Sequence, residues 1–116
     1  MNRRVNKNLK LYYSISEVAR HFEVNESLLR YWEKEFPELI TPKKAGGNIR
    51  QYRKEDIENI RLIYHLVKEK GMTLAGAKQR LKQNKEILVK KVDIVERLKS
   101  IRKELLSLRQ ELDYLH

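Results

Sequence analysis

The chain has 116 residues and a formal net charge of +10, with 41% hydrophobic and 36% charged residues and no cysteine. This length suits one modest domain with an appendage, and the lack of cysteine excludes disulfides, zinc-thiolate sites and thiol catalysis. No apolar run approaches the roughly 18 residues of a membrane span, and the polar N-terminus does not resemble a signal peptide, so we expect a cytoplasmic protein.

The positive charge is concentrated in the first three quarters of the sequence. Residues 1–86 hold 19 basic and 11 acidic residues, a net charge of +8, whereas residues 87–116 hold 7 basic and 5 acidic residues. Such an excess favours a polyanionic partner, most commonly nucleic acid and second an anionic membrane surface. We expect residues 1–10 to form a flexible basic arm.

Two short helices are predicted after this arm. Ser14 and Glu17 have the spacing of a capping box, which predicts a first helix of about two turns. Asn25 is a good N-cap residue for a second helix, which runs to about Glu35 because Pro37 disfavours helix in the residue before it. Leu28, Leu29 and Trp32 form the inward face of this second helix, and its outward face consists largely of Ser27, Arg30, Tyr31 and Lys34.

A two-stranded hairpin is predicted in the middle of the chain. Ile40–Pro42 and Ile49–Tyr52 are short segments rich in β-forming residues. Between them, Ala45–Asn48 is a turn signal, because its glycines adopt positive φ angles at little cost. Lys43 and Lys44 would then give the hairpin a basic tip.

Two further helices are predicted between the hairpin and the tail. Lys54–Lys70 carries apolar residues at intervals of three and four, and Gly71 is a good signal for its end. Thr73 caps a fourth helix whose inward residues are Leu74, Ala77 and Leu81. Gly76 inside this helix costs about 1 kcal/mol, which close helix packing could explain.

The tail has the heptad pattern of a coiled coil. Seven apolar residues follow one another at intervals of 4, 3, 4, 3, 4 and 3: Ile94, Leu98, Ile101, Leu105, Leu108, Leu112 and Leu115. Lys91 falls on a core position one heptad before Leu98, so we expect the seam to begin near Ile94. The helix could pack on its own domain, but the unbroken heptads favour a homodimer with a second copy of the chain.

The order of these elements predicts a mainly α fold. Residues 11–84 would form a winged helix-turn-helix domain with a small β-hairpin wing, and residues 85–116 a long coiled-coil dimerisation helix. A helix fits the major groove of double-stranded DNA, and a basic hairpin can lie along the backbone or enter the minor groove. Lys43 and Lys44, beside the wing, are candidate phosphate contacts.

The chain resembles MerR-type regulators over Leu11 to about Asn84. The resemblance rests on Tyr13–Ala19, Val24–Glu33 and Asn48–Tyr52, with support from Gly71–Leu74. It implies a homodimer joined by an antiparallel coiled coil that binds and distorts a roughly palindromic operator. It also implies transcriptional activation or repression, with RNA polymerase at the promoter as a further partner, and association with the bacterial nucleoid.

The resemblance also suggests roles for individual residues. Arg30 and Tyr31 match positions that contact the DNA backbone, and Arg50 matches the arginine of the wing. Glu26 and Ser27 lie near the helix start, where base contacts are expected. The full set of expected DNA-binding residues is Asn25, Glu26, Ser27, Arg30, Tyr31, Lys34, Lys43, Lys44 and Arg50. Trp32 and Tyr52 are expected to be core residues.

Some features depart from the family pattern. Arg53 stands where a Ser-like cap is usual, and Ala75-Gly76 replaces an acidic pair. Phe36–Leu39 lengthens the link into the wing. We expect no effector domain after the coil, and no cysteine could sense a metal, so we do not expect a metal- or drug-responsive activator.

No pattern in the chain indicates catalysis. It has no nucleophile motif, no phosphate-cradling glycine loop and no acid–base pair of carboxylates. His21, His65 and His116 lack the spacing of metal ligands and are expected at the surface or in interfaces. We therefore expect no enzyme, no cofactor, no metal and no membrane partner. Two alternatives remain open: an excisionase-like architectural DNA-binding protein, and a chaperone or protein-interaction adaptor on the same fold.

Overall fold

The computed structural model of the protein describes residues 11–47 and 49–115. The expected basic arm, Asn48 of the turn and His116 lie outside the described residues. The elements in chain order are α1 (Ile15–Phe22), α2 (Glu26–Glu35), β1 (Lys43–Ala45), β2 (Ile49–Gln51), α3 (Lys54–Tyr64), a π-helical segment (His65–Glu69), α4 (Leu74–Gln83) and α5 (Lys85–Leu115). This confirms the predicted mainly helical fold with a small hairpin and a long C-terminal helix.

Helices α1 and α2 begin and end where the sequence predicts. The Ser14 hydroxyl accepts a hydrogen bond from the Glu17 N–H (3.2 Å), and the Glu17 carboxylate accepts one from the Ser14 N–H (3.0 Å), so the capping box forms. Glu23 adopts the left-handed conformation (φ 55°) that ends α1. Asn25 precedes α2 with an extended backbone, but its side chain makes no capping hydrogen bond, in contrast to our expectation.

The first strand of the hairpin lies further along the chain than predicted. Ile40–Pro42 is not a strand, because Ile40 is buried and its N–H donates to the Phe36 carbonyl (3.0 Å) in a turn, while Pro42 has no N–H to donate. The strand β1 is Lys43–Ala45, which pairs antiparallel with β2. Both lysines therefore lie within the strand, and Gly46 and Gly47, with φ angles of 55° and 78°, form the turn.

Residue contacts divide the chain between Lys78 and Gln79 into two compact units. The core of the first unit is formed by these buried apolar residues: Val18, Ala19, Leu29, Trp32, Phe36, Ile40, Tyr52, Ile60, Leu62, Ile63, Leu66 and Ala77. Trp32 is 1% exposed and Tyr52 is fully buried, so both are core residues as predicted.

The third helix differs from its prediction at its C-terminal end. The α-helix ends at Tyr64 and continues as a π-helical segment, in which the Lys70 N–H donates to the His65 carbonyl (2.9 Å). His65 is only 4% exposed, and its Nδ1 lies 3.0 Å from a carboxylate oxygen of Glu69. The expectation of a surface or interface histidine is therefore wrong for His65. Gly71, with a φ angle of 68°, follows this segment as predicted.

Helix α4 is capped by Thr73, whose hydroxyl accepts a hydrogen bond from the Gly76 N–H (3.1 Å). A Cβ atom on Gly76 would lie 3.2 Å from that hydroxyl oxygen and 3.4 Å from the terminal carbon of Met72. The crowding therefore comes from the cap itself, and close packing against a facing helix does not explain this glycine.

The second unit contains the long helix α5 of 31 residues. Its seven seam residues are between 45% and 78% exposed, whereas Leu88 and Val92 are buried. None of the helices in the described ranges is long and apolar enough to cross a membrane.

Candidate nucleic-acid interface

Helix α2 separates an apolar inward face from a polar outward face. Leu29 and Trp32 are almost completely buried in the core of the first unit. The exposed residues at its start and along its outward side are Asn25, Ser27, Arg30, Tyr31 and Lys34, and Glu26 is partly exposed. Burial of Leu29 and Trp32 fixes the rotation of the helix, and this rotation presents the predicted contact residues to solvent.

The start of α2 is free of side-chain caps. Asn25 has the extended backbone of an N-cap residue, and its carbonyl accepts hydrogen bonds from Leu28 and Leu29. Because its carboxamide does not cap the helix, the amide remains available to an external partner. The N–H groups of a first helical turn also carry a partial positive charge that favours an anion.

Arg30 forms a weak ion pair along the surface of α2. Its guanidinium lies 3.6 Å from the Glu26 carboxylate, and the two side chains are 45% and 43% exposed. An exposed pair of this type contributes about 0.3–0.5 kcal/mol, so a phosphate can displace Glu26 from Arg30 at little cost.

Arg50 is held much more firmly. Its Nε donates to a carboxylate oxygen of Glu33 at 2.7 Å, and the two side chains are only 20% and 18% exposed. This charge-assisted hydrogen bond connects strand β2 of the wing to helix α2. Arg50, which we expected to contact DNA, therefore also determines where the wing lies relative to α2.

Lys43 and Lys44 are both exposed but point to opposite faces of the hairpin. Lys44 is opposite Arg50 in the strand register, and Lys43 is opposite Gln51. Directly opposed residues of an antiparallel pair share a face, whereas neighbours along one strand do not. Lys44 thus shares the face of Arg50, which contacts α2, and Lys43 lies on the other face.

The base of the wing is fastened to the segment before α1. Tyr13 and Tyr52 exchange two backbone hydrogen bonds, each 2.8 Å long. Burial, together with the nearby Glu33 carboxylate, raises the pKa of the Tyr52 phenol well above its usual range. The phenol is therefore neutral throughout the physiological pH range and serves as part of the core.

A second set of hydrogen bonds holds the segment that leads into the wing, and its residues are not among those predicted from the sequence. Asp56 is 1% exposed, and its two carboxylate oxygens accept hydrogen bonds from the backbone N–H groups of Thr41 and Arg53, both at 2.9 Å. The Asn59 amide donates to the Leu39 carbonyl (2.8 Å). Asp56 lies four residues before Ile60 and Asn59 four residues before Ile63, so their place on the apolar face of α3 was a signal that could have identified them.

A shallow groove of about 770 Å³ adjoins the start of α2. Asn25, Ser27 and Tyr31 line it from α2, and Tyr64 and Lys68 line it from α3 and the π-helical segment. Tyr31 is 48% exposed. Lys68 is not among the residues predicted from the sequence, because the approach of the π-helical segment to the start of α2 is a tertiary feature.

The interface offers hydrogen-bond donors, cations and exposed aromatic surface, which are the groups that bind phosphates and base edges. Across the described ranges, no group of three or more His, Asp or Glu side chains could hold a metal ion.

Comparison with known proteins connects this arrangement to a family. Residues 13–84 match the family described as MerR HTH family regulatory protein. The chain is 34% identical over 71 residues to the regulator protein TubY of Clostridium botulinum C phage, an alignment that covers 61% of this chain and 29% of TubY. It is 30% identical over 63 residues to the HTH-type transcriptional repressor CarA of Myxococcus xanthus, with 54% and 22% of the two chains covered.

The chain thus spans less than a third of the length of these two curated relatives. A crystal structure of a MerR family transcriptional regulator from Bacillus cereus has a similar fold, with a TM-score of 0.53 at 24% identity over 89% of this chain and 78% of that one. This likeness confirms the predicted winged helix-turn-helix fold.

Proposed function

This chain belongs to the MerR HTH family of regulatory proteins, and from that premise we propose that it binds double-stranded DNA sequence-specifically as a homodimer and regulates transcription. Membership of a family of regulatory proteins agrees with the prediction that the chain is not an enzyme.

The observation that carries the proposal is the rigid connection between α2 and the basic wing. Leu29 and Trp32 anchor α2 in the core, and the 2.7 Å hydrogen bond between Arg50 and Glu33 joins the wing to it. Two contact elements held at a fixed separation lose less conformational entropy when they bind successive parts of a DNA duplex.

In the proposed complex, α2 lies in the major groove. Asn25, Glu26 and Ser27 are near base edges at the helix start, while Arg30, Tyr31 and Lys34 contact the backbone. The wing adds Lys43, Lys44 and Arg50 to the backbone or the minor groove. Because these cations replace counterions on the phosphates, affinity should fall steeply as salt concentration rises.

The homodimer is supported by the exposed apolar row of α5. Seven large aliphatic residues at heptad spacing are between 45% and 78% exposed in the single chain, and a second α5 would cover them. The family resemblance favours an antiparallel coil. Because a dimer with two-fold symmetry presents two identical DNA-binding units, we expect a roughly palindromic operator. Because regulation takes place at a promoter, we also expect RNA polymerase as a further partner.

The direct test is selection of bound fragments from random double-stranded DNA, followed by footprinting. We expect a two-fold-symmetric site and altered transcription from a reporter that carries it. Salt-sensitive binding without sequence preference would contradict the proposal.

Arg30→Gln tests the interface itself. Loss of one phosphate contact should weaken binding to the selected site by about tenfold and reduce the slope of log affinity against log salt by about one. Fluorescence anisotropy titrations over a range of salt concentrations measure both quantities.

Lys103→Gln is the matched control, since it removes one positive charge from an exposed position of α5 outside the proposed interface. Equal losses of affinity in the two variants would show that only net charge matters and would remove Arg30 from the contact surface.

A further inference from the structure

We propose that two copies of α5 pair antiparallel in one specific register, in which the two-fold axis passes between Leu98 and Ile101. In this register, Arg97 faces the partner's Glu104 and Lys90 faces the partner's Glu111. The inference rests on the proposed homodimer and adds to it the residues that select the partner and the alignment.

The charges beside the apolar row of α5 are unevenly distributed along the helix. When Leu98 and Leu105 are taken as a positions and Ile101 and Leu108 as d positions, four charged residues fall on successive g positions: Lys90, Arg97, Glu104 and Glu111. All four side chains are exposed in the single chain. The g edge of α5 is therefore basic in its N-terminal half and acidic in its C-terminal half.

Such an edge matches a second copy more fully when the two helices are antiparallel. In a parallel coil each g residue faces an e residue of the partner, so Glu104 would meet the partner's Arg109, but Arg97 would face the partner's Arg102. The a positions would also face each other, which would bring two copies of Lys91 together in the core. The Arg97–Arg102 and Lys91–Lys91 contacts bring like charges together, which opposes parallel pairing.

In an antiparallel coil, g residues face g residues and e residues face e residues, so the register decides which charges meet. With Leu98 opposite the partner's Ile101, both basic g residues face acidic ones, and each pair occurs twice by symmetry. At the e positions, Arg102 then faces the partner's uncharged Val95. No like-charged residues meet at the g or e positions in this register.

Registers shifted by one heptad are less favourable. A shift toward the C-terminus brings Glu104 opposite its own copy and Arg102 opposite its own copy. A shift toward the N-terminus brings Arg97 opposite its own copy. Since like charges across a coil are unfavourable, the charge pattern selects the central alignment.

The start of α5 is compatible with this register. Ile87, which is 51% exposed, would face the partner's Leu112. In this register the seam would include Ile87, one heptad before Ile94.

Charge reversal tests the g pairs. We expect Lys90→Glu combined with Arg97→Glu, and separately Glu104→Lys combined with Glu111→Lys, to weaken self-association by about tenfold or more in sedimentation equilibrium. An equimolar mixture of the two double variants should associate to within about threefold of the wild-type affinity. Lys103→Glu, at an exposed position away from the seam, is the control and should leave association unchanged.

A parallel coil gives the opposite result for the first double variant. In a parallel coil the glutamate introduced at position 97 would face the partner's Arg102. These opposite charges would attract, and self-association would become tighter. That outcome, or no recovery of affinity in the mixture, would overturn the proposal.

Cross-linking tests the register, and the chain is suitable for it because it contains no cysteine. A short bismaleimide should join a mixture of Arg97→Cys and Glu104→Cys chains much more efficiently than either variant alone. More efficient cross-linking of Glu104→Cys alone, or of Arg97→Cys alone, would indicate a register shifted by one heptad and overturn the proposed one.

The two proposals can fail separately. A wild-type chain that stays monomeric at high concentration would contradict the homodimer of the proposed function. A wild-type dimer with a different cross-linking pattern would contradict only the register.

Discussion

Tyr52 illustrates how a single side chain can belong to the core while it lies beside the contact surface. Its ring is fully buried, and its backbone is joined to Tyr13 by two hydrogen bonds. Its hydroxyl makes no hydrogen bond of standard geometry to the described residues, although the Glu33 carboxylate is near enough to raise its pKa. The hydroxyl therefore contributes less to stability than the ring does.

Tyr52→Phe should change the free energy of unfolding at pH 7 by less than about 1 kcal/mol, whereas Tyr52→Ala should cost about 3–5 kcal/mol. The folded-state pKa of the phenol is raised, so the folded chain retains this proton where the unfolded chain loses it. Stability should therefore fall as the pH rises above the unfolded value of about 10, and this decline should be smaller in Tyr52→Phe. Urea unfolding between pH 7 and pH 11 measures both effects.

An equal decline in the wild type and in Tyr52→Phe would show that the other tyrosines and the lysines cause the alkaline loss of stability. The raised pKa of Tyr52 would then have no measurable effect on folding.

At the scale of the elements, the wing depends on side chains outside the hairpin. A hairpin with two strands of three residues has little stability of its own. Glu33 fastens it to α2, and Asp56 fastens the segment before it to the start of α3. The position of the wing, and with it the geometry of the interface, is thus set by two acidic residues that are not predicted contacts.

Asp56→Asn should lower the free energy of unfolding by about 2–3 kcal/mol. The carboxylate accepts hydrogen bonds from two backbone N–H groups, and an amide would offer an oxygen to only one of them, with its own N–H₂ turned toward the other. Chemical denaturation measures the loss.

Glu55→Gln, in the same helical turn but exposed, is the matched control and should change stability by less than about 0.5 kcal/mol. Equal stability of Asp56→Asn and the wild type would mean that the wing segment is held without Asp56.

At the scale of the whole molecule, the two compact units carry different parts of the proposed function. The first unit, Met1–Lys78, holds the expected DNA contacts, and the second unit, Gln79–His116, holds the exposed apolar row of α5. Exposure of the apolar row of α5 to water is unfavourable in a single helix. Its burial against a second copy should therefore provide most of the free energy of dimerisation.

Leu105→Asn should therefore weaken dimerisation by about tenfold or more while it leaves the first unit folded, because Leu105 is 61% exposed in the single chain. Binding to a two-fold-symmetric operator should weaken in parallel, since two half-sites would be bound by separate chains. Sedimentation equilibrium and DNA titrations on the same samples measure both.

Leu106→Asn is a closely matched control, because the adjacent Leu106 is 47% exposed but lies outside the seam. If the two variants dimerised equally well, the heptad seam would not be the dimer interface.

Periodicity and local backbone chemistry were sufficient to predict most of the elements. The capping box of Ser14 and Glu17, the bounds of α2 and the cap at Thr73 depend on residues within a few positions of one another. The inward face of α2 follows from 3.6-residue spacing, so its outward face, with Arg30 and Tyr31, was predictable as well.

Contacts between distant segments could not be predicted in this way. The start of β1 at Lys43 follows from the burial of Ile40. Arg50 is held by a hydrogen bond to Glu33, which lies 17 residues earlier in the sequence. Asp56 accepts a hydrogen bond from Thr41, which lies 15 residues earlier. The sequence alone thus determined which faces are apolar and which are charged, because those follow from local spacing. Only the tertiary structure decided which polar side chains hold the wing and which remain exposed, because a hydrogen bond depends on the three-dimensional approach of its two partners.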